Sequence, residues 1–169
     1  MKICSREELR PILEELRVEG KRIVLANGCF DLLHVGHVRY LEGARRSGDV
    51  LVVAINSDAS TRAIKGEGRP VMPAAERAEI VAGLECVDWV MVFDEPTVGE
   101  CLSILKPHVH AKGTDYRVES VPEREIMASL GGETAIVGDP KKHASRDVIR
   151  TVLEKFAPGR GPEDEGISS

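Results

Sequence analysis

An alternation constrains this chain more than any other feature. Five short apolar runs, at 22–26, 50–55, 87–93, 108–112 and 134–137, are separated by segments whose apolar residues return at helical spacing. A strand covered on both faces reads as a nearly continuous apolar run, and parallel strands need helical crossovers. Helices are predicted at 6–18, 35–46, 73–84, 98–105, 122–130 and 145–156. Ser5 followed by Glu8 makes a capping box before the first, Gly20 ends it, Ser47-Gly48 closes the second, and Pro107 breaks the chain after 98–105. The pattern predicts an α/β doubly wound fold with a five-stranded parallel sheet, a single domain over 1–156. Ligands of such sheets bind beyond the carboxyl ends of the strands, where the strand order reverses.

With 169 residues, 42% of them hydrophobic, the chain is expected to build one core, without a second catalytic domain. A net charge of −5 gives no basic footprint for nucleic acid or an anionic membrane. No stretch approaches eighteen unbroken apolar residues, and residues 1–20 lack a signal-peptide apolar block, so a cytoplasmic protein without membrane or nucleic-acid partners is expected. Cys4, Cys29, Cys86 and Cys101 show neither zinc-site spacing nor disulfide density, and reduced thiols are expected. Residues 157–169, rich in Pro, Gly and acidic groups, are expected to be a disordered tail.

The segment Asn27-Gly28-Cys29-Phe30-Asp31-Leu32-Leu33-His34-Val35-Gly36-His37 lies between the first predicted strand and the helix after it. A helix N-terminus presents unpaired N–H groups and partial positive charge to an anion, and Gly36 removes a side chain that would hold a phosphate off the backbone. Two imidazoles three residues apart, His34 and His37, can both donate to one phosphate chain. Asn-Gly alone also signals a hairpin, but no strand resumes directly after it. A His pair also suits a metal, but no third His or Cys supports that spacing, and no metal ligand is assigned. Neither G-x-G-x-x-G nor G-x-x-x-x-G-K-[ST] is present.

The segment NGCFDLLHVGHVRYL at 27–41, followed by VVAINSD at 52–58, KGEGRPVMPAAER at 65–77, VDWVMVFDE at 87–95, KGTDY at 112–116, PE at 122–123 and GG at 131–132, resembles the cytidylyltransferase-like nucleotidyltransferases. Within them it is similar to the heptose 1-phosphate adenylyltransferases of ADP-heptose synthesis. The resemblance covers roughly residues 5 to 156. The H-x-G-H element specifies only the superfamily, whereas KGxGRP and KGxDY together are far more specific.

The resemblance implies a Rossmann-like fold and transfer of AMP from ATP to a sugar phosphate, with Mg2+ carried mainly by the ATP phosphates and a homodimeric assembly. His34, His37 and Lys65 are its implied catalytic residues, Lys65 lying in a mobile stretch after the second strand. Asn27, Gly28, Cys29, Phe30, Asp31, Gly36, Lys112, Gly113, Asp115 and Ser145 are implied at the nucleotide, Asp31 holding the loop or assisting a metal. Asn56, Asp58, Arg69, Arg77 and Arg146 are candidates for the substrate phosphate. As residues alone, Lys65, Arg69 and Arg77 also read as solvated charges, Asp115 as a turn former, and Asn56 and Asp58 as turn residues past a strand end. Ala26, Thr114 and His143-Ala144-Ser145-Arg146 depart from the family pattern, the last replacing a hydroxyl-rich Ser-Thr-Thr. A cytidylyltransferase acting on glycerol 3-phosphate or a related alcohol phosphate and a noncatalytic nucleotide-binding module are the competing readings.

Overall fold

The computed structural model describes residues 2–140 and 144–156; the expected tail at 157–169 and the residues Lys141, Lys142 and His143 lie outside them. The chain order is α1 (Arg6–Val18), β1 (Ile23–Gly28), α2 (Val35–Arg45), β2 (Val50–Asn56), α3 (Asp58–Lys65), α4 (Ala74–Ala82), β3 (Trp89–Phe93), α5 (Gly99–Leu105), β4 (Val109–Gly113), α6 (Arg124–Ser129), β5 (Glu133–Val137) and α7 (Ser145–Phe156). All strand pairs are parallel, in the order β3-β2-β1-β4-β5. The Ser5 capping box forms as expected: Glu8 N–H donates to Ser5 Oγ at 3.2 Å and Ser5 N–H to Glu8 Oε2 at 2.8 Å.

Alternate strand residues reach opposite layers. Val24, Ala26, Leu51, Val53, Ile55, Val109 and Ala111 pack with Leu41 and Ala44 of α2 and Ala78 and Val81 of α4. Ile23, Leu25, Val52, Ala54, Met91 and Phe93 pack with Leu9, Leu13, Cys101, Leu102, Leu105 and Met127 on the other side. This two-sided burial is why the strands read as unbroken apolar runs. Among the described residues no helix is long and apolar enough to cross a membrane.

Two elements differ from the sequence reading. Asn27 and Gly28 extend β1 instead of ending it, because they pair with Ala54 and Ile55 of β2. The stretch expected to be mobile after β2 begins as α3, with Ser57 as its N-cap accepting from Ser60 N–H at 3.3 Å.

Candidate active site

From β1 the chain moves outward through β2 to β3, then returns to place β4 on the other side of β1 and β5 beyond it. The strand order therefore reverses between β1 and β4, and the carboxyl ends of these two strands carry Asn27-Gly28 and Lys112-Gly113. The sequence motif falls at this switch point.

His34 is the N-cap of α2, and its Nδ1 accepts from Gly36 N–H at 3.1 Å. His37 Nδ1 accepts from His34 N–H at 3.3 Å. The rings stack with centroids 3.9 Å apart, and Phe30 lies 5.4 Å from His37. With Nδ1 accepting in both, the hydrogen-bond pattern fits the Nε2–H tautomer of each ring at the first turn of α2. That is the polarity a phosphate oxygen requires.

The loop leading to the His pair is strained and heavily braced. Phe30 and Leu32 adopt φ of 50° and 52°, a left-handed conformation costing about 1 kcal/mol or more each in such residues. Gly28 allows it, since a Cβ there would stand 3.1 Å from the Phe30 ring. Asp31, 1% exposed, accepts from Arg69 Nε at 2.6 Å, Val71 N–H at 2.9 Å and Met72 N–H at 3.1 Å. This clasp joins the GRP part of KGEGRP to the H-x-G-H loop. The Ser145 hydroxyl donates to the Asp31 carbonyl, so the start of α7 is tied to the same loop.

Burial alone would raise the Asp31 carboxyl, but the Val71 and Met72 N–H groups and Arg69 outweigh it and hold it below its ordinary 3.8. A depressed carboxyl stabilises the fold above its unfolded pKa, and that contribution disappears as pH falls through the folded value. The stability advantage of wild type over Asp31→Asn, read from thermal midpoints, should hold at pH 7 and shrink below about pH 4. A difference constant from pH 7 to pH 3 would contradict the charged clasp.

Several candidates for the substrate phosphate take part in contacts within the scaffold. Arg77 has no exposed side-chain surface. It donates to the Cys29 carbonyl, to Asn56 O and Met72 O at 2.9 Å each, and to Asp58 Oδ1 at 2.8 Å. Asn56, 4% exposed, donates through Nδ2 to Ser60 Oγ at 3.0 Å, and Asp58 Oδ1 also accepts Ala74 N–H at 2.8 Å. Through these contacts the polar groups of Asn56, Asp58 and Arg77, all expected near the substrate phosphate, join the loops after β1 and β2 to the start of α4. Arg69 likewise serves the clasp. Lys65 is exposed as the last residue of α3, and Arg146 is exposed on α7. The Cys29 sulfur lies 3.9 Å from Asn56 Oδ1.

On the far side of the switch point Asn27 Oδ1 accepts from Lys112 Nζ at 3.3 Å and lies 3.0 Å from His110 Nε2. Burial, reinforced by the Lys112 charge, pushes His110 down to about 3, so the ring is neutral. Lys112 Nζ also faces Glu123 Oε2 at 3.7 Å and the Tyr116 ring at 4.8 Å. Asp115 sits in the turn closed by Tyr116 N–H donating to Gly113 O at 3.1 Å. The roles of His110 and Glu123 escaped the sequence reading. The signal present was V-H-A-K over 109–112, two polar groups alternating on one face of an apolar strand.

A five-stranded parallel sheet with paired imidazoles capping the helix after its first strand defines a Rossmann-like nucleotidyltransferase fold. Residues 25–153 match the cytidylyltransferase-like family, and the chain belongs to that family. It is 47% identical over 156 residues to the bifunctional protein HldE of Pelobacter propionicus, covering 92% of this chain and 32% of that protein. It is 50% identical over 151 residues to the HldE of Geotalea uraniireducens, covering 89% and 31%. The chain thus spans about a third of the length of these curated relatives. Among solved structures, a lipopolysaccharide core biosynthesis protein from Thermoplasma volcanium shares the fold at a TM-score of 0.62 and 24% identity, over 72% of this chain and all of that one. A pantoate-beta-alanine ligase from Francisella tularensis, complexed with beta-gamma ATP and beta-alanine, shares it at 0.60 and 16% identity, over 88% and 73%.

Proposed function

We propose that this domain transfers AMP from ATP to a sugar 1-phosphate, a heptose 1-phosphate foremost, and releases pyrophosphate. The observation that carries this reading is the His34–His37 pair, fixed by two Nδ1 hydrogen bonds at the start of α2 on the switch point. The choice of ATP and a sugar phosphate is supported by the KGEGRP and KGTDY segments and by the close similarity to the HldE proteins.

The acceptor phosphate, whose second pKa is about 6, is already largely dianionic near neutral pH and needs no general base. The chain's task is to align it with the α-phosphorus and to meet charge on the departing pyrophosphate. His34 and His37 donate through Nε2 to the triphosphate, and Lys65 supplies a cation from the end of α3. Gly28, Cys29, Phe30 and Gly36 shape the backbone around it, with Lys112, Gly113 and Asp115 on the β4 side. Ser145 acts through the loop it anchors, and exposed Arg146 remains the candidate for the acceptor phosphate.

The described residues contain no group of three His, Cys, Asp or Glu able to hold a metal, and both Asp31 oxygens accept N–H groups. These residues fit a Mg2+ that rides on the nucleotide phosphates, where it neutralises their charge. The homodimer implied by the resemblance belongs to the same reading.

A pyrophosphate-release screen crossing ATP, CTP, GTP and UTP with sugar and alcohol phosphates tests it. ATP with a heptose 1-phosphate should lead, with CTP at least tenfold poorer in kcat/KM, a preference needing only about 1.4 kcal/mol. Turnover confined to CTP and glycerol 3-phosphate would establish the cytidylyl reading instead, and none with any pair a noncatalytic nucleotide-binding module.

A further inference from the structure

Asn27, His110, Lys112 and Glu123 form a polar cluster on the α1, α5 and α6 side of the sheet, opposite the layer that holds the His pair. The register places Asn27 and Lys112 at the ends of adjacent strands, and Glu123 is the N-cap of α6. Burial at this level is unusual for such groups: His110 is 0% exposed, Glu123 5% and Lys112 7%. Ion pairs this deep normally satisfy their remaining valences with hydrogen bonds. Here the 3.7 Å approach of Lys112 Nζ to Glu123 Oε2 is an ion pair but too long for a hydrogen bond, and Glu123 Oε2 and His110 Nδ1 both lack a hydrogen-bond partner.

The composition of the cluster says what would complete it. Lys112 and Glu123 cancel in charge, and Asn27 and His110 are neutral, so the cluster has donors and acceptors but no net charge to attract a phosphate. An orphaned carboxylate oxygen and an orphaned ring nitrogen call for hydroxyl donors, which a phosphate dianion does not have. A neighbouring ammonium suits the oxygen of the same or the adjacent hydroxyl. We infer that Asn27, His110, Lys112 and Glu123 form a subsite for a vicinal diol of a sugar ring, belonging to the ribose of the nucleotide or to the acceptor sugar. Glu123 accepts one hydroxyl proton and Lys112 donates to an oxygen of the pair. The Tyr116 ring, 36% exposed, covers the ammonium at the outer margin of the cluster. The inference rests on the nucleotidyl-transfer reading for its ligands.

The test is a cycle between side chain and hydroxyl, read by calorimetric binding to the full chain. One arm uses ATP, 2′-deoxy-ATP and 3′-deoxy-ATP. The other uses a heptose 1-phosphate and its 2-deoxy and 3-deoxy analogues in the presence of α,β-methylene-ATP. In wild type one hydroxyl deletion should weaken binding about tenfold or more, the loss of a hydrogen bond to a charged group. In Glu123→Gln or Lys112→Met the parent ligand should bind more weakly, and the same deletion should cost less than about threefold. The arm that responds identifies which sugar supplies the diol. The inference is overturned if no deletion costs wild type threefold, or if its cost is unchanged in both variants, as a purely structural ion pair requires. Should neither variant fold, the wild-type series alone decides. Failure of pyrophosphate release with every acceptor would refute nucleotidyl transfer and leave the hydroxyl series standing as a separate result.

Discussion

Replacing either His34 or His37 by Ala should lower kcat about a hundredfold or more, the cost seen when one preorganised donor to transition-state charge is removed, about 2.7 kcal/mol. The fold should survive, because the hydrogen bonds that the two imidazoles accept lie at the first turn of α2. The variants are not equivalent, however. His34 caps Gly36 N–H, so its loss also removes a helix cap worth about 1 kcal/mol. His34→Asn restores a capping acceptor without the imidazole donor and should regain that stability while remaining slow. Native circular dichroism with less than a fivefold loss of turnover in both Ala variants would make the His pair structural.

Arg77→Ala should be among the most destabilising single changes in the domain, about 3 kcal/mol or more by urea unfolding. The guanidinium joins three carbonyls, of Cys29, Asn56 and Met72, to Asp58, and its side chain has no exposed surface. Truncation leaves those acceptors short of donors, each at a cost of about 1–3 kcal/mol where water cannot enter, and opens a cavity. The Asp58 partner is 44% exposed and adds little of its own. Arg77→Lys should recover less than half of the loss, since an ammonium cannot span four acceptors placed for a planar fork. Because Arg77 holds the carbonyl of Cys29, in the loop that sets His34, turnover should fall even where the variant remains folded. A change below about 0.5 kcal/mol would show that water replaces the guanidinium.

The sheet was legible in the sequence because its strands are covered on both sides and their apolar runs have one reading. The centre of the motif was legible for a different reason: two imidazoles and a glycine at the start of a helix after a strand have a specific chemical use. The unread parts depend on tertiary partners. Asn27-Gly28 has turn chemistry locally, but β2 on one side and the Lys112 ammonium on the other keep it in β1. α3 is short and polar, and it is held by its Ser57 cap and by Thr61 Oγ1 donating to Asn56 O at 3.3 Å. Arg77 reads in the sequence as a candidate for the substrate phosphate or a solvated charge, because arginine usually lies at the surface. The hint was its place beside Ala78 and Val81, on the buried face of α4. Asp31 and Arg69, 38 positions apart, could not be paired by spacing at all.

The central claim is that an acceptor phosphate oxygen attacks the α-phosphorus of ATP at this switch point. Phosphorus NMR of a reaction containing ATP, Mg2+ and a heptose 1-phosphate bearing 18O in its phosphate measures that event directly. The account predicts inorganic pyrophosphate and an ADP-sugar in equal amounts, with the label retained in the sugar-proximal phosphate and in the oxygen bridging it to the α-phosphorus. Formation of ADP with a newly phosphorylated sugar, or of AMP with the sugar phosphate unchanged, would contradict it.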